Sequence, residues 1–243
     1  MRILKIVFKR ETIAPMLALV FASAVCAALV MGRVAWTWER RYAFLIWNLF
    51  LAWLPLVFAM LACEVSRQNE LRKNWRLLGL AGAWLLFFPN APYIFTDLIH
   101  LTTRFQASHR YWMDLMLILI CALTGLVLGF VSLYLMQSVV TRMFGRVTGW
   151  LFVMGAAGLC SVGIYLGRFL RFNSWDVILH PGKIYRGFDA WTDNRMADGS
   201  SLAFLVLFAT FMFIAYVMLY ALTHLPSAQQ MVLSQENQKL REA

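Results

Sequence analysis

Charged residues make up only 14% of this 243-residue chain, and the acidic sign is the rarer one, with 12 Asp and Glu against 22 Lys and Arg. A soluble domain is about a quarter charged and roughly half apolar. Here 61% of the residues are hydrophobic, which excludes that class. Cysteine is sparse as well. Cys26, Cys63, Cys121 and Cys160 fall inside or at the end of apolar stretches without a paired spacing that suggests metal or redox work, so they give no compartment signal and read as small hydrophobes. The four histidines form no metal signature. The net charge of +10 needs no nucleic acid as partner, since cytoplasmic loops facing anionic lipid account for much of the excess.

What the chain does contain is six long apolar runs, at about 12–32, 42–63, 77–96, 115–141, 147–167 and 199–223. Each is close to the ~20 residues a helix needs to cross a ~30 Å hydrocarbon core. A transmembrane barrel would need ~10-residue segments of alternating polarity, and these runs are apolar all round. The expected fold is therefore all-α, a polytopic membrane bundle of about six helices. The first run follows "MRILKIVFKR" in the manner of a signal peptide, but its apolar core exceeds the ~7–15 residues of such a region, so it reads as an uncleaved helix. Residues 1–225 form a single transmembrane domain and 226–243 a short polar cytoplasmic tail. Placing both termini in the cytoplasm puts 12 of the 22 cations on that side, many of them in the dense N-terminal segment and the 67–76 loop.

The loops are unequal. "TDLIHLTTRFQASHRYWMD" and the 168–200 segment are long, polar and, by alternation of helix direction, on the same external face. The third run ends in "FFPNAPYIFTDLIH", where Pro89 and Pro92 predict a kink or break. Asn90 is expected to cap the piece that follows, in which Tyr93, Asp97 and His100 are spaced i, i+4, i+7 and share one face. The fifth run ends in "YLGRFLRFNSWDVILHP". There Arg168 and Arg171, three apart, are expected to lie side by side above Tyr165 and to suit a phosphate, a carboxylate or the nearby aspartates. Asn173 or Ser174 can cap a short helix that carries Trp175 and Asp176. Each motif has a bland alternative: a packing kink for the first, snorkelling arginines and an interfacial tryptophan for the second. Gly125 with Gly129, and Gly163 with Gly167, have the small-xxx-small spacing that predicts close packing of the fourth helix on the fifth.

"FFPNAPYIFTDLIHL", "GLVLGFVSLYLM" and "GRFLRFNSWDVILHP", in this order, resemble domain-of-unknown-function family 1361, bacterial multi-pass inner-membrane proteins. The resemblance runs from about the second helix to the sixth. It implies a bacterial inner-membrane location and implies that Asn90, Pro92, Tyr93, Asp97, His100, Arg168, Arg171, Asn173, Trp175 and Asp176 belong to the family's pattern. It brings no activity and no cofactor.

These readings converge on a polar binding or catalytic site at the external face for an anionic or lipid-headgroup substrate. Asp97 and His100 are its expected catalytic pair, and Asn90, Tyr93, Arg168, Arg171, Asn173, Trp175 and Asp176 its substrate-binding residues. The alternatives are a transporter or flippase with a discontinuous third helix, and an accessory subunit that docks another membrane protein. The expected partners are membrane lipids, an anionic or lipid-linked ligand, and a membrane protein; no nucleic acid is among them.

Overall fold

The computed structural model describes residues 10–38, 40–68, 75–104, 109–171, 176, 182 and 199–224. Its longer elements are Arg10–Thr37 (α1), Phe44–Gln68 (α2), Trp75–Phe87 (α3), Asn90–Thr96 (α4), His109–Phe144 (α5), Arg146–Phe169 (α6) and Ser200–Thr223 (α7), with 3-10 segments at Arg40–Tyr42 and Asp97–Arg104. No strand occurs among the described residues. Because α3, α4 and the first residues of the 3-10 turn act as one span, Trp75–Ile99, six segments are long and apolar enough to cross a membrane. The expected all-α membrane bundle is the fold.

The spans alternate in direction. The end at which α1, α4 and α6 finish is called distal below, and the end that holds the start of α1 proximal. The longest helix, α5, has 36 residues, about 54 Å at 1.5 Å per residue, and so extends beyond the hydrocarbon slab. It is also the axis of the bundle: 61% of its apolar window is buried, against 17% for α1 and for α7, whose exposed Leu17, Phe21, Val206 and Leu207 suit contact with lipid. One core packs Trp84, Phe88, Leu133, Ile164 and Met212, and another packs Cys26, Leu45, Leu56, Ile118 and Leu128.

The predicted kink is present, and its cause is legible in the backbone. Pro89 and Pro92 each remove an N–H from the helical ladder. Ala91 N–H bonds one residue short of the α pattern, to Phe88 O at 3.2 Å, before Tyr93 N–H resumes the regular bond to Pro89 O at 3.0 Å. The Phe87 carbonyl, skipped by Ala91, accepts instead from Asn90 Nδ2 at 3.1 Å. Asn90 thus corrects one expectation: it is the first residue of α4 rather than its cap, which is Pro89, and its amide donates backwards to repair the break.

The glycines correct another. Gly125 and Gly129 in α5 do not chiefly serve the α6 contact but admit α4. A Cβ at Gly125 would stand 2.6 Å from the Ala91 carbonyl oxygen, and one at Gly129 3.1 Å from Ala91 Cβ. Gly163 in α6 likewise receives Pro89, whose Cγ would lie 2.5 Å from an added Cβ. The prolines bend the third span, and glycines on two neighbours make room for the bend. The α5–α6 pair does pack, but through Gly149 against Thr141 and Gln137 near the proximal turn. That turn is one residue, Gly145, with φ 94°, a conformation that suits glycine.

Candidate functional site

At the distal end the kink delivers α4 to α6. Asp97, the first residue after α4, is 1% exposed, and its Oδ1 accepts from Arg168 Nη1 at 3.0 Å. Its Oδ2 accepts from Asn48 Nδ2 of α2 at 3.0 Å. The same guanidinium donates from Nη1 to the Tyr93 hydroxyl at 3.4 Å and from Nη2 to the Thr96 carbonyl, and lies 5.4 Å from the centre of the Tyr93 ring. The pair is largely withdrawn from solvent, with Arg168's side chain 15% exposed and Asp97's 2%. In such a setting a carboxylate and a guanidinium are tolerated because each neutralises the other and the remaining polar atoms find partners. Three spans, α2, α4 and α6, are tied at one point.

A second cluster lies at the same end. Arg33, near the end of α1, donates to Asp114 of α5 from Nε at 2.7 Å and from Nη2 at 3.3 Å, the forked geometry a guanidinium favours. Tyr42 of the 3-10 turn adds a hydroxyl bond to Asp114 Oδ2 at 2.9 Å. Behind these two clusters the Tyr165 and Ser201 hydroxyls are paired at 2.8 Å, joining α6 to α7. Polar groups thus stitch the distal ends of all the spans.

A family profile matches residues 47–218. The chain belongs to the family described as protein of unknown function (DUF1361). No curated protein and no solved structure matches it. The matched region holds Asn48, Asp97, Asp114 and Arg168, while Arg33 and Tyr42 precede it, so the first cluster lies wholly within the part shared with the family and the second only in part.

Of the residues that the sequence singled out, the fold gathers Tyr93, Asp97 and Arg168. Asn90 lies seven residues before Asp97, about 10 Å along a helix axis, and serves the kink. Arg171 is not the helical neighbour of Arg168 that i, i+3 spacing predicts. The helix stops at Phe169, Leu170 closes it, and Arg171 takes a left-handed backbone with φ 57° and is exposed. Asp176 is half-buried. Asn173, Trp175 and the His100 side chain lie outside the described residues. Sequence reasoning missed Asn48, which carries no local signal within its apolar run, and missed that Arg33, Tyr42 and Asp114 form a cluster. Their only signal was being polar at the edges of apolar runs whose loops face the same way.

Among the described residues no group of three or more His, Cys, Asp and Glu could hold a metal ion.

Proposed function

We propose that this chain is a multi-pass protein of the bacterial inner membrane, with both termini in the cytoplasm, whose distal end faces outward and binds an anionic ligand or lipid headgroup. The observation that carries the reading is Arg171. It is exposed, makes no ion pair with any described residue, and holds a left-handed backbone that costs a non-glycine residue free energy. Three residues earlier, Arg168 is already neutralised by Asp97 and is occupied in holding α4 to α6. Of the two arginines that close α6, the one left for a ligand is therefore Arg171.

In this reading Asp97, Tyr93 and Asn48 are positioning residues. Both carboxylate oxygens of Asp97 already accept bonds, so proton transfer at Asp97 would require the network to open first. The outward orientation rests on the excess of Lys and Arg in the proximal loops, and the bacterial inner-membrane assignment on the motifs shared with the family. A transporter with a discontinuous third span has less support, because the break at Pro89 is filled by close packing against Gly163. For an accessory subunit the same exposed Arg171 would meet an acidic patch of a partner protein.

Native mass spectrometry of mildly purified wild type and Arg171→Gln tests the reading. A lipid or small anion retained by wild type and lost from a variant of unchanged thermal stability is the expected result. The same species retained equally by both would remove Arg171 from the site and with it the proposal.

A further inference from the structure

The proximal end holds a different feature, independent of the distal reading. A cavity of about 470 Å³ opens where α5 turns into α6 and α7 ends, lined by Gln137, Thr141, Arg142, Arg146, Trp150 and Tyr220 among others. That volume is within the roughly 300–1,000 Å³ typical of small-ligand pockets. We infer that it binds a phosphate group, carried on a carbon skeleton that rests against the aromatic wall.

The lining is rich in donors, and among the described residues that form it there is no Asp or Glu. Arg142 and Arg146 stand on either side of the one-residue turn at Gly145, whose positive φ lets two helices present their arginines from adjacent ends. Both are exposed, and neither makes an ion pair with any described residue. Two guanidiniums lining one cavity with no Asp or Glu among its described lining repel each other, and a phosphate with several acceptor oxygens relieves that repulsion.

Gln137 adds an observation from the buried side. It is 5% exposed, and its Oε1 accepts from the Tyr216 hydroxyl, which orients the amide. Its Nε2 then makes no bond with any described residue, although a buried amide donor normally has a partner. Since Gln137 lines the cavity, an acceptor inside it would satisfy that donor. The α6 N-terminus beside it has no side-chain cap, which leaves partial positive charge at the same place. Trp150 and Tyr220 meet edge to face with ring centres 5.0 Å apart and form an apolar wall below the cations. A phosphate at the arginines with a carbon skeleton against the rings satisfies both halves of the cavity.

A phospholipid of the bilayer and a free phosphorylated metabolite share this chemistry, and the test separates them. The full chain in neutral detergent is titrated with dioleoyl phosphatidylglycerol and, separately, with glycerol 3-phosphate and inorganic phosphate, and read by native mass spectrometry. The variants are Arg142→Gln/Arg146→Gln, both at exposed positions that leave the core intact, and Arg40→Gln, an exposed distal control. One stoichiometric phosphatidylglycerol that the double variant binds about tenfold or more weakly, as expected for lost charge-assisted bonds, supports the proposal with the lipid as source. The same loss for glycerol 3-phosphate or phosphate, without a specific lipid adduct, supports it with a soluble source. Equal binding of every probe by wild type, double variant and control overturns it. Because Arg171 lies at the opposite end, a failure here leaves the distal reading standing, and the reverse also holds.

Discussion

The two ends of the bundle meet the membrane boundary with similar residues and use them in opposite ways. At the distal end Arg168 and Arg33 are drawn inward and neutralised by Asp97 and Asp114, and Tyr93, Tyr42 and Asn48 complete the shells. At the proximal end Arg142 and Arg146 stand exposed around a cavity, with a tyrosine–glutamine bond below them and no carboxylate among the described residues of its lining. The difference lies in where the acids are. An arginine beside a buried carboxylate becomes part of the scaffold, whereas an arginine without one keeps its charge available. By this criterion Arg171, although distal, belongs with the proximal arginines.

The comparison can be broken most severely at Asp97. Asp97→Ala leaves the Arg168 guanidinium buried and unpaired, and a loss of about 3–5 kcal/mol is expected in denaturant unfolding of the detergent-solubilised protein. Arg142→Gln should stay within about 0.5 kcal/mol of wild type in the same assay, as exposed substitutions usually do. Equal stability for both variants would mean that the distal pair is no more structural than the proximal arginines.

Next in size is the contact that brings α4 to its place. Gly163→Ala puts a methyl group 2.5 Å from Pro89 Cγ, and an overpacking cost of about 1–3 kcal/mol is expected. Gly79→Ala in α3, with nothing within 4 Å of the added carbon, should leave stability unchanged or raised. If the two behave alike, the bend is held by something other than its glycine seats.

The smallest expected effect is a gain. Arg171→Gly relieves the left-handed backbone and should stabilise the protein by about 1 kcal/mol in thermal or denaturant unfolding. A loss instead would reveal that Arg171 is tied into the distal scaffold after all, and would move it to the other side of the comparison.

Several elements could be read from residue order because their causes are local. Six apolar runs demand six spans in lipid, and two prolines three residues apart remove two N–H groups wherever the chain goes. Tyr93 and Asp97 share a side because i and i+4 do so on any helix, and both reach Arg168. The same spacing rule failed for Arg168 and Arg171, because helix periodicity holds only while the helix lasts and this one stops at Phe169. The small-xxx-small pattern was seen, but its partner was not. A glycine says that something approaches closely without saying what, and here it is α4 and Pro89.

By itself, then, the sequence determined the membrane class, the number of spans, the bend in the third and the polar character of the distal end, since each follows from hydropathy or from a covalent constraint on the backbone. Only the tertiary structure decided which charges are consumed and which remain. Asp97 chose Arg168 over Arg171, Asn48 reached it from another helix, Arg33 found Asp114 across 81 positions of chain, and Arg142 and Arg146 were left with a cavity. Coulomb attraction and desolvation depend on distances in space of a few ångströms, and the order of residues carries those distances only within a helix turn.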